Sequence, residues 1–126
     1  MLAIALPVLD LRLGFADEGN YPSDTTTKRA YDLLADGFGP GFNGPLTLVA
    51  AIDTPEQLAA AQSVSQALAA TPGVAFASPA VPNNATAPTA VLWTLYPNDA
   101  PQSVEAADLV SALRNDVLPQ AAGDSG

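Results

Sequence analysis

The chain has 126 residues, 48% of them hydrophobic, and its 13 acidic residues outnumber its 4 basic ones to give a formal net charge of -9. The absence of Cys and His excludes disulfides, thiolate nucleophiles, Cys-based metal sites and the usual general base at neutral pH. The acidity argues against nucleic acid as a partner, because phosphates require a basic face. The length suits one domain.

The first 22 residues are predicted to be irregular. Their apolar opening, MLAIALPVLDL, is interrupted by Pro7 and ended by Asp10 and Arg12. It is much shorter than the roughly 20 residues of a membrane-spanning helix. No basic stretch precedes it, as one would in a secretory signal. We therefore expect an irregular segment over 1–22 and a folded domain over 23–126.

A first helix is predicted over 24–36, with Ser23 or Asp24 as its N-cap. Residues at helical spacing give it an apolar stripe: Tyr31, Leu34 and Phe38. The Gly- and Pro-rich segment 37–45 follows as a loop. A strand is then predicted over 46–52, and its almost continuous apolar sequence, LTLVAAI, is typical of a strand covered on both faces.

The second helix has the clearest start signal in the chain. Thr54 and Gln57 have the spacing of a capping box, and Pro55 occupies the first helical position. This helix is predicted over 55–70, where Pro72-Gly73 follows its end.

Two further strands and a last helix complete the predicted elements. The strands are expected over 74–78 and 90–96, and the second alternates between one face (Val91, Trp93, Leu95) and the other (Leu92, Thr94, Tyr96). The last helix is expected over 103–118, ended by Pro119. Its inward residues are predicted to be Val104, Ala107, Val110, Leu113 and Val117.

The order of these elements predicts an α+β fold. It is the ferredoxin-like split βαβ, β-α-β-β-α, with its final strand missing, preceded by the irregular segment and one helix. The missing strand would pair with strand 46–52, which is otherwise left with a bare apolar edge. Either residues 3–9 fill that edge, or the polypeptide continues past Gly126, and we favour the second.

No catalytic residue, cofactor site or metal site is predicted, so the chain is not expected to be an enzyme. The acids Asp17, Glu18 and Asp24 lack the alternating oxygens of a calcium loop. The run GFGPGFNG lacks the Lys of a phosphate-binding loop. Ser and Thr are plentiful but have no His to activate them. We expect Arg29 to make an intramolecular pair with Tyr31 or Asp32.

One long stretch, GFADEGNYPSDTTTKRAYDLLADGFGPGFNGPL over 14–46, resembles the segment after the first membrane helix of actinobacterial MMPL-type transporters of the resistance–nodulation–division (RND) superfamily. Later pieces, ATPGVAFASP and DLVSALRNDVLP, resemble the same pattern. The residues interpreted as a structural family signature are Asp17, Pro22, Arg29, Tyr31, Asp32, Phe38, Gly39, Pro40, Gly41 and Pro45.

The resemblance implies the first extracytoplasmic porter subdomain of a proton-driven membrane exporter of lipidic or other hydrophobic cargo. Its partners would be the transmembrane bundle and a second porter subdomain of the same transporter, with lipidic cargo as a further partner. The domain itself is expected to be soluble, on the extracytoplasmic face of the plasma membrane in a multi-pass protein. The apolar opening would be the end of the first membrane helix. The alternative is a free-standing ferredoxin-like binding module that dimerises through its bare edge and has no enzymatic activity.

Overall fold

The computed structural model describes residues 17–123. They form an α+β fold in which a four-stranded antiparallel sheet is combined with four α-helices, the last two of which are joined by a π turn. This arrangement is compatible with the ferredoxin-like split fold, so the predicted fold class is confirmed. The expectations for residues 1–16, including an edge strand over 3–9 and the end of a membrane helix, lie outside the described residues.

The sheet consists of β1 (Leu46–Ala51), β2 (Val74–Ala77), β3 (Val81–Pro82) and β4 (Ala90–Pro97). Its order is β1-β4-β2, with β3 also paired to β4. β2 and β3 lie along the same side of β4 and act as one strand interrupted at 78–80. The sequence did not predict β3, because the prolines on either side of Val81 are typical of a loop.

The helices are α1 (Thr26–Phe38), α2 (Pro55–Ala70), α3 (Val104–Ala112) and α4 (Leu118–Ala122), and two 3-10 turns cover Glu18–Asn20 and Pro40–Asn43. The capping box of α2 is confirmed: Thr54 Oγ1 accepts from the Gln57 amide, and the Gln57 side chain accepts from the Thr54 amide.

The predicted cap of the first helix is wrong. Thr25, and not Ser23 or Asp24, caps α1, because its hydroxyl oxygen accepts from the Lys28 amide at 3.3 Å. The Thr25 amide and hydroxyl both donate to the Pro22 carbonyl, which holds the chain in a turn just before the helix.

The last helix does not end at Pro119. A π-helical turn over Leu113–Val117 joins α3 to α4, which continues to Ala122. A proline ring clashes with the carbonyl four residues earlier in a regular α-helix. The wider π turn precedes Pro119 and lets the helix continue past it.

The inward face of this helix is also shifted from the predicted one. Its buried residues are Ala106, Leu109 and Leu113, whereas Val104 is exposed. The sequence of α3 is apolar on several sides, so its hydrophobic spacing fits more than one face. The position of the sheet selects the face that is buried.

The core lies between one face of the sheet and the helices α2 and α3. Its most deeply buried side chains are Leu68 of α2 and Val91 and Leu95 of β4. The remaining members are Ile52, Ala61, Val64, Trp93, Leu109 and Leu113. The predicted division of β4 into two faces is confirmed, since Val91, Trp93 and Leu95 are buried and the alternate residues are not.

β1 is not covered on both faces, contrary to the prediction. Leu46, Leu48 and Ala50 are half-buried against the helices, while Thr47, Val49 and Ala51 are exposed on the opposite face. An all-apolar strand carries no alternation from which its covered face can be read. The structure therefore leaves one face of the sheet open to solvent.

Candidate functional site

The residues before the sheet, 17–45, form what we call the N-terminal platform. Asp17 caps its first 3-10 turn, with Oδ1 accepting from the Gly19 amide at 2.9 Å. Asn43 Nδ2 donates to the Tyr31 carbonyl at 3.2 Å and ties the end of the platform to α1. The Tyr31 hydroxyl lies 3.5 Å from Gln102 Oε1, which links the platform to the turn before α3.

Burial raises the pKa of Tyr31 above its ordinary value, and the hydrogen bond with Gln102 partly opposes this shift. The nearby Asp17 carboxylate acts in the same direction as burial. The phenol is therefore neutral at physiological pH, where it serves as a hydrogen-bond donor.

The structure gathers the ten signature residues in this platform, but it does not converge them on one point. Asp17 and Pro22 lie before α1, and Gly39, Pro40, Gly41 and Pro45 follow its end. The other four members, Arg29, Tyr31, Asp32 and Phe38, lie on α1 itself. The expected pair of Arg29 with Tyr31 or Asp32 is wrong. Lys28 instead pairs with Asp32 one helical turn away, because the (i, i+4) spacing places those two side chains on the same face.

The platform is joined to the rest of the described chain, residues 46–123, by close backbone approaches at two glycines; we call residues 46–123 the sheet domain. Gly41 is buried, and a Cβ at this position would overlap the carbonyl of Pro97 at the end of β4. A Cβ on Gly44 would overlap the ring of Pro101. Gly39 supplies the turn between α1 and the next 3-10 turn with φ of 95°, a conformation that favours glycine.

A row of aromatic rings runs from the platform onto the open face of the sheet. The rings of Phe38 and Phe42 stack with centroids 4.7 Å apart, and Phe42 stacks on Tyr96 at 5.1 Å. Phe76 of β2 extends the row, 6.3 Å from Tyr96. The two ends of the row are open to solvent, with Phe38 68% and Phe76 57% exposed.

Aliphatic side chains cross the same face farther along the strands. Val49 and Leu92 are direct cross-strand partners, and Leu92 is also the partner of Val81. All three are exposed, Val49 to 66%. A folded domain exposes single apolar residues routinely, but a continuous row on a sheet face is typical of a surface that contacts another apolar surface.

The outer edge of β1 has no partner strand among residues 17–123. The Ile52 amide donates to the Thr89 carbonyl at 2.9 Å. Because hydrogen bonding alternates along an antiparallel pair, the even-numbered residues of β1 direct their N–H and C=O groups towards β4. The peptide groups of Thr47, Val49 and Ala51 are therefore directed outwards, away from β4.

A groove lies beside this edge, between β1 and the continuous helix formed by α3, the π turn and α4. One cavity of about 180 Å³ lies near Leu46 and is also lined by Leu113 and Arg114. A second cavity of about 310 Å³ lies farther along β1 and is lined by Trp93 and Ala122. Leu48 and Leu118 line both cavities. We call this surface the β1 groove.

Across residues 17–123, no three His, Cys, Asp or Glu side chains are grouped so as to hold a metal ion. Within the same range, no helix is both long and apolar enough to cross a membrane. What the site offers is an apolar sheet face, outward peptide groups on β1, and an apolar groove with one guanidinium.

Sequence reasoning identified the bare edge but missed the groove and the aromatic row. Phe42 and Phe76 lie far apart in the chain, and only the approach of Gly41 to β4 brings Phe42 onto Tyr96. The open face of β1 could not be predicted either, because the exposed Val49 is as hydrophobic as its half-buried neighbours in the strand.

A stretch of 50 residues, 40% of this chain, is 52% identical to Membrane protein YdfJ of Bacillus subtilis (strain 168). The matched part is only 7% of the length of that protein. No family model matches the chain.

The match corrects the family identification. The actinobacterial MMPL-type (RND) assignment is wrong, since the similar protein is from Bacillus subtilis, is named only as a membrane protein, and no family model supports the assignment. The physical reason is the kind of residue that carried the resemblance. Gly39, Pro40 and Gly41 are turn and close-packing positions, which specify a local backbone path more than a family.

Proposed function

We propose that this chain is a non-enzymatic, extracytoplasmic domain of a larger membrane protein, in which it helps to pass hydrophobic cargo. The observation that carries the proposal is the 52% identity with a segment of Membrane protein YdfJ. The share of YdfJ that is matched is small, and this is consistent with one domain among several.

The open sheet face supports the cargo part of the proposal. Its aromatic row and the Val49–Leu92–Val81 row offer an apolar surface on which a lipidic molecule or another apolar domain can lie. Its partners would be the membrane-embedded part of the same protein and a second extracytoplasmic domain. No acid–base pair or nucleophile needs to take part, because passing cargo along a surface makes and breaks no covalent bond.

The side of the membrane is tested by labelling engineered cysteines in intact cells. The chain has no Cys, so Ser63→Cys on α2 and Ala85→Cys in the loop before β4 introduce new thiols at exposed positions. In the full-length protein, we expect a membrane-impermeant maleimide to label both before lysis. Labelling of both only after lysis would contradict the extracytoplasmic placement.

The cargo role is tested in the same full-length protein by export of a fluorescent lipid probe. Phe76→Ser removes an exposed ring from the aromatic row and is expected to slow export at unchanged expression. Leu33→Ser is the matched control, because Leu33 is 72% exposed but lies outside the row. Equal export by both variants and the unmodified protein would overturn this role.

A second candidate function is that of a free-standing module that dimerises through β1, and the outward peptide groups of that strand favour it. Size measurement of the native protein distinguishes the two. A soluble dimer with no membrane association would support the module and contradict the membrane-protein domain.

A further inference from the structure

We propose that α1 is an interface between two copies of this chain, which pair through the exposed apolar face of the helix in antiparallel orientation. Two reciprocal ion pairs, each from Arg29 of one copy to Asp36 of the other, flank the contact. The proposal goes beyond the proposed function. It uses a surface separate from both the open sheet face and the edge of β1.

The first observation is that α1 turns its apolar face away from its own domain. The side towards the rest of the described chain carries Tyr31, Asp32 and Ala35, all half-buried. The other side carries Leu33, which is 72% exposed, and Leu34, which is 39% exposed. A surface helix normally packs its apolar stripe on its own core. The exposed stripe therefore indicates a partner from outside the described chain.

The exposed face has the spacing and shape of a helix-pairing surface. Ala30, Leu33, Leu34 and Gly37 follow one another at intervals of three and four residues, which places them on one face. The two leucines lie in the middle, and the small residues lie at the ends. Nothing lies within 4 Å of where a Cβ of Gly37 would be, so another helix can approach closely there.

This arrangement is self-complementary when the second helix runs in the opposite direction. With the two-fold axis between Leu33 and Leu34, the leucines of one copy meet those of the other, and each Ala30 lies opposite a Gly37. In the same register Arg29 lies about 3 Å along the helix axis from Asp36 of the other copy. Both side chains are long enough to cover that offset.

Charge complementarity selects the antiparallel direction. Arg29 and Asp36 lie two turns apart on the same border of the apolar face, and neither has an ion-pair partner among residues 17–123. In an antiparallel pair each arginine lies beside an aspartate of the other copy, whereas parallel helices would bring like charges to the same level. Opposed helix dipoles favour the same direction.

An anionic lipid surface fits this face less well. The two basic residues of α1 are balanced by its two acidic ones, and the whole chain carries a net charge of -9. A single helix pair also buries less than the roughly 1,200 Å² of a standard stable interface. We therefore expect weak pairing between free chains and stronger pairing between copies held in one membrane. Only this last expectation rests on the proposed function.

Disulfide cross-linking of the full-length protein in its own membrane tests the contact. Leu33→Cys, in a background without other cysteines, is expected to give a covalent dimer when oxidised with copper phenanthroline. Val104→Cys is the control, because Val104 is an exposed residue of α3, and we expect it to stay monomeric. No dimer from Leu33→Cys, or equal dimer yields from the two variants, would overturn the proposal.

Charge reversal tests the ion pairs in the Leu33→Cys background. Arg29→Glu or Asp36→Lys alone places like charges together at both symmetry-related contacts and is expected to reduce the dimer yield about tenfold. The double variant is expected to restore it. Lys28→Glu with Asp32→Lys is the matched control, since that pair lies within one helix. Unchanged yields from the single reversals, or no restoration by the double variant, would contradict the assigned pairing.

Photocross-linking identifies what covers the face. Leu34 is replaced by p-benzoylphenylalanine in two differently tagged copies of the full-length protein, and we expect a cross-link to α1 of the other copy. A cross-link to lipid, to another segment of the same polypeptide or to a different protein would overturn the proposal. The aromatic row lies outside the contact, so loss of pairing is not expected to alter export. Maleimide labelling likewise reports the side of the membrane whether or not α1 is paired.

Discussion

The sheet domain and the N-terminal platform are each stabilised by a different kind of contact. From Leu46 onwards, the fold buries a continuous apolar core between the sheet and two helices. In the platform, α1 has no buried residue, and the only buried position of the next 3-10 turn is Gly41. The platform is attached by close backbone approach and by ring stacking on Tyr96.

The stability of the two regions therefore responds oppositely to a change of one or a few methyl groups. Removing side-chain volume destabilises the sheet domain, because a cavity replaces packed atoms. Adding a single methyl destabilises the platform, because its attachment requires the absence of a Cβ. A substitution in one region should therefore leave the other region intact.

The largest expected effect is in the core. Leu95→Ala removes a fully buried side chain from the centre of β4 and is expected to lower the free energy of unfolding by about 2–5 kcal/mol. Leu33→Ala, at an exposed position of the platform, should change it by less than about 0.5 kcal/mol. Denaturant titration followed by the fluorescence of Trp93 measures both, and similar values would refute the division into two regions.

The next effect is in the platform. Gly41→Ala forces the turn away from Pro97 and is expected to cost about 1–3 kcal/mol of docking free energy. Hydrogen exchange of the α1 amides should accelerate while that of β4 is unchanged. Gly37→Ala is the control: nothing lies near its Cβ position, so we expect slower or equal exchange in α1. The same response from both variants would contradict docking through Gly41.

A smaller effect is expected where β4 is joined to α2. Ser65 Oγ accepts from Trp93 Nε1 at 2.8 Å and from the Ala80 amide at 3.2 Å. Ser65→Ala leaves a buried indole N–H without its partner and should cost about 1–2 kcal/mol. Ser63→Ala, on the exposed side of α2, should be nearly neutral. Thermal melts of the two variants compare them, and coincident melting curves would show that the indole does not depend on Ser65.

The smallest effect is on the surface of α1. Lys28 pairs with Asp32, and its ammonium lies 5.6 Å from the centre of the Tyr31 ring. Lys28→Gln should lower the free energy of unfolding by about 0.5 kcal/mol, because both groups of the pair remain in contact with water. The difference should disappear in 1 M salt. A loss that persists unchanged in high salt would contradict an electrostatic origin.

Local signals in the sequence were sufficient for most elements of the sheet domain, but not for β3 or for the end of the last helix. The capping box at Thr54 and Gln57 fixed the start of α2, since both partners lie within one helical turn. The alternation in β4 separated its two faces, because the neighbours of Trp93 on its own face lie two positions away along the strand, but it did not say which face is buried. The overall class followed from the order of these elements.

Features that depend on contacts between residues far apart in the sequence could not be predicted. The covered face of β1 is selected by where the helices pack, and the sequence LTLVAA is apolar on both faces. The π turn before Pro119 and the shifted face of α3 depend on the same packing. The β1 groove joins Leu46 to Arg114, which are separated by most of the sheet domain, so no local pattern could predict it.

Amide hydrogen exchange along β1 in the full-length protein, embedded in its membrane, reports whether the outer edge of β1 is paired in the native protein. Leu48 and Ala50 direct their amides towards β4 and should be protected in any case. We expect equal protection at Thr47 and Val49, because the missing strand of the split fold, supplied by the larger protein, accepts their hydrogen bonds. Protection at Leu48 and Ala50 with free exchange at Thr47 and Val49 would show a bare edge in the native protein and contradict the placement of this chain as one domain of a larger protein.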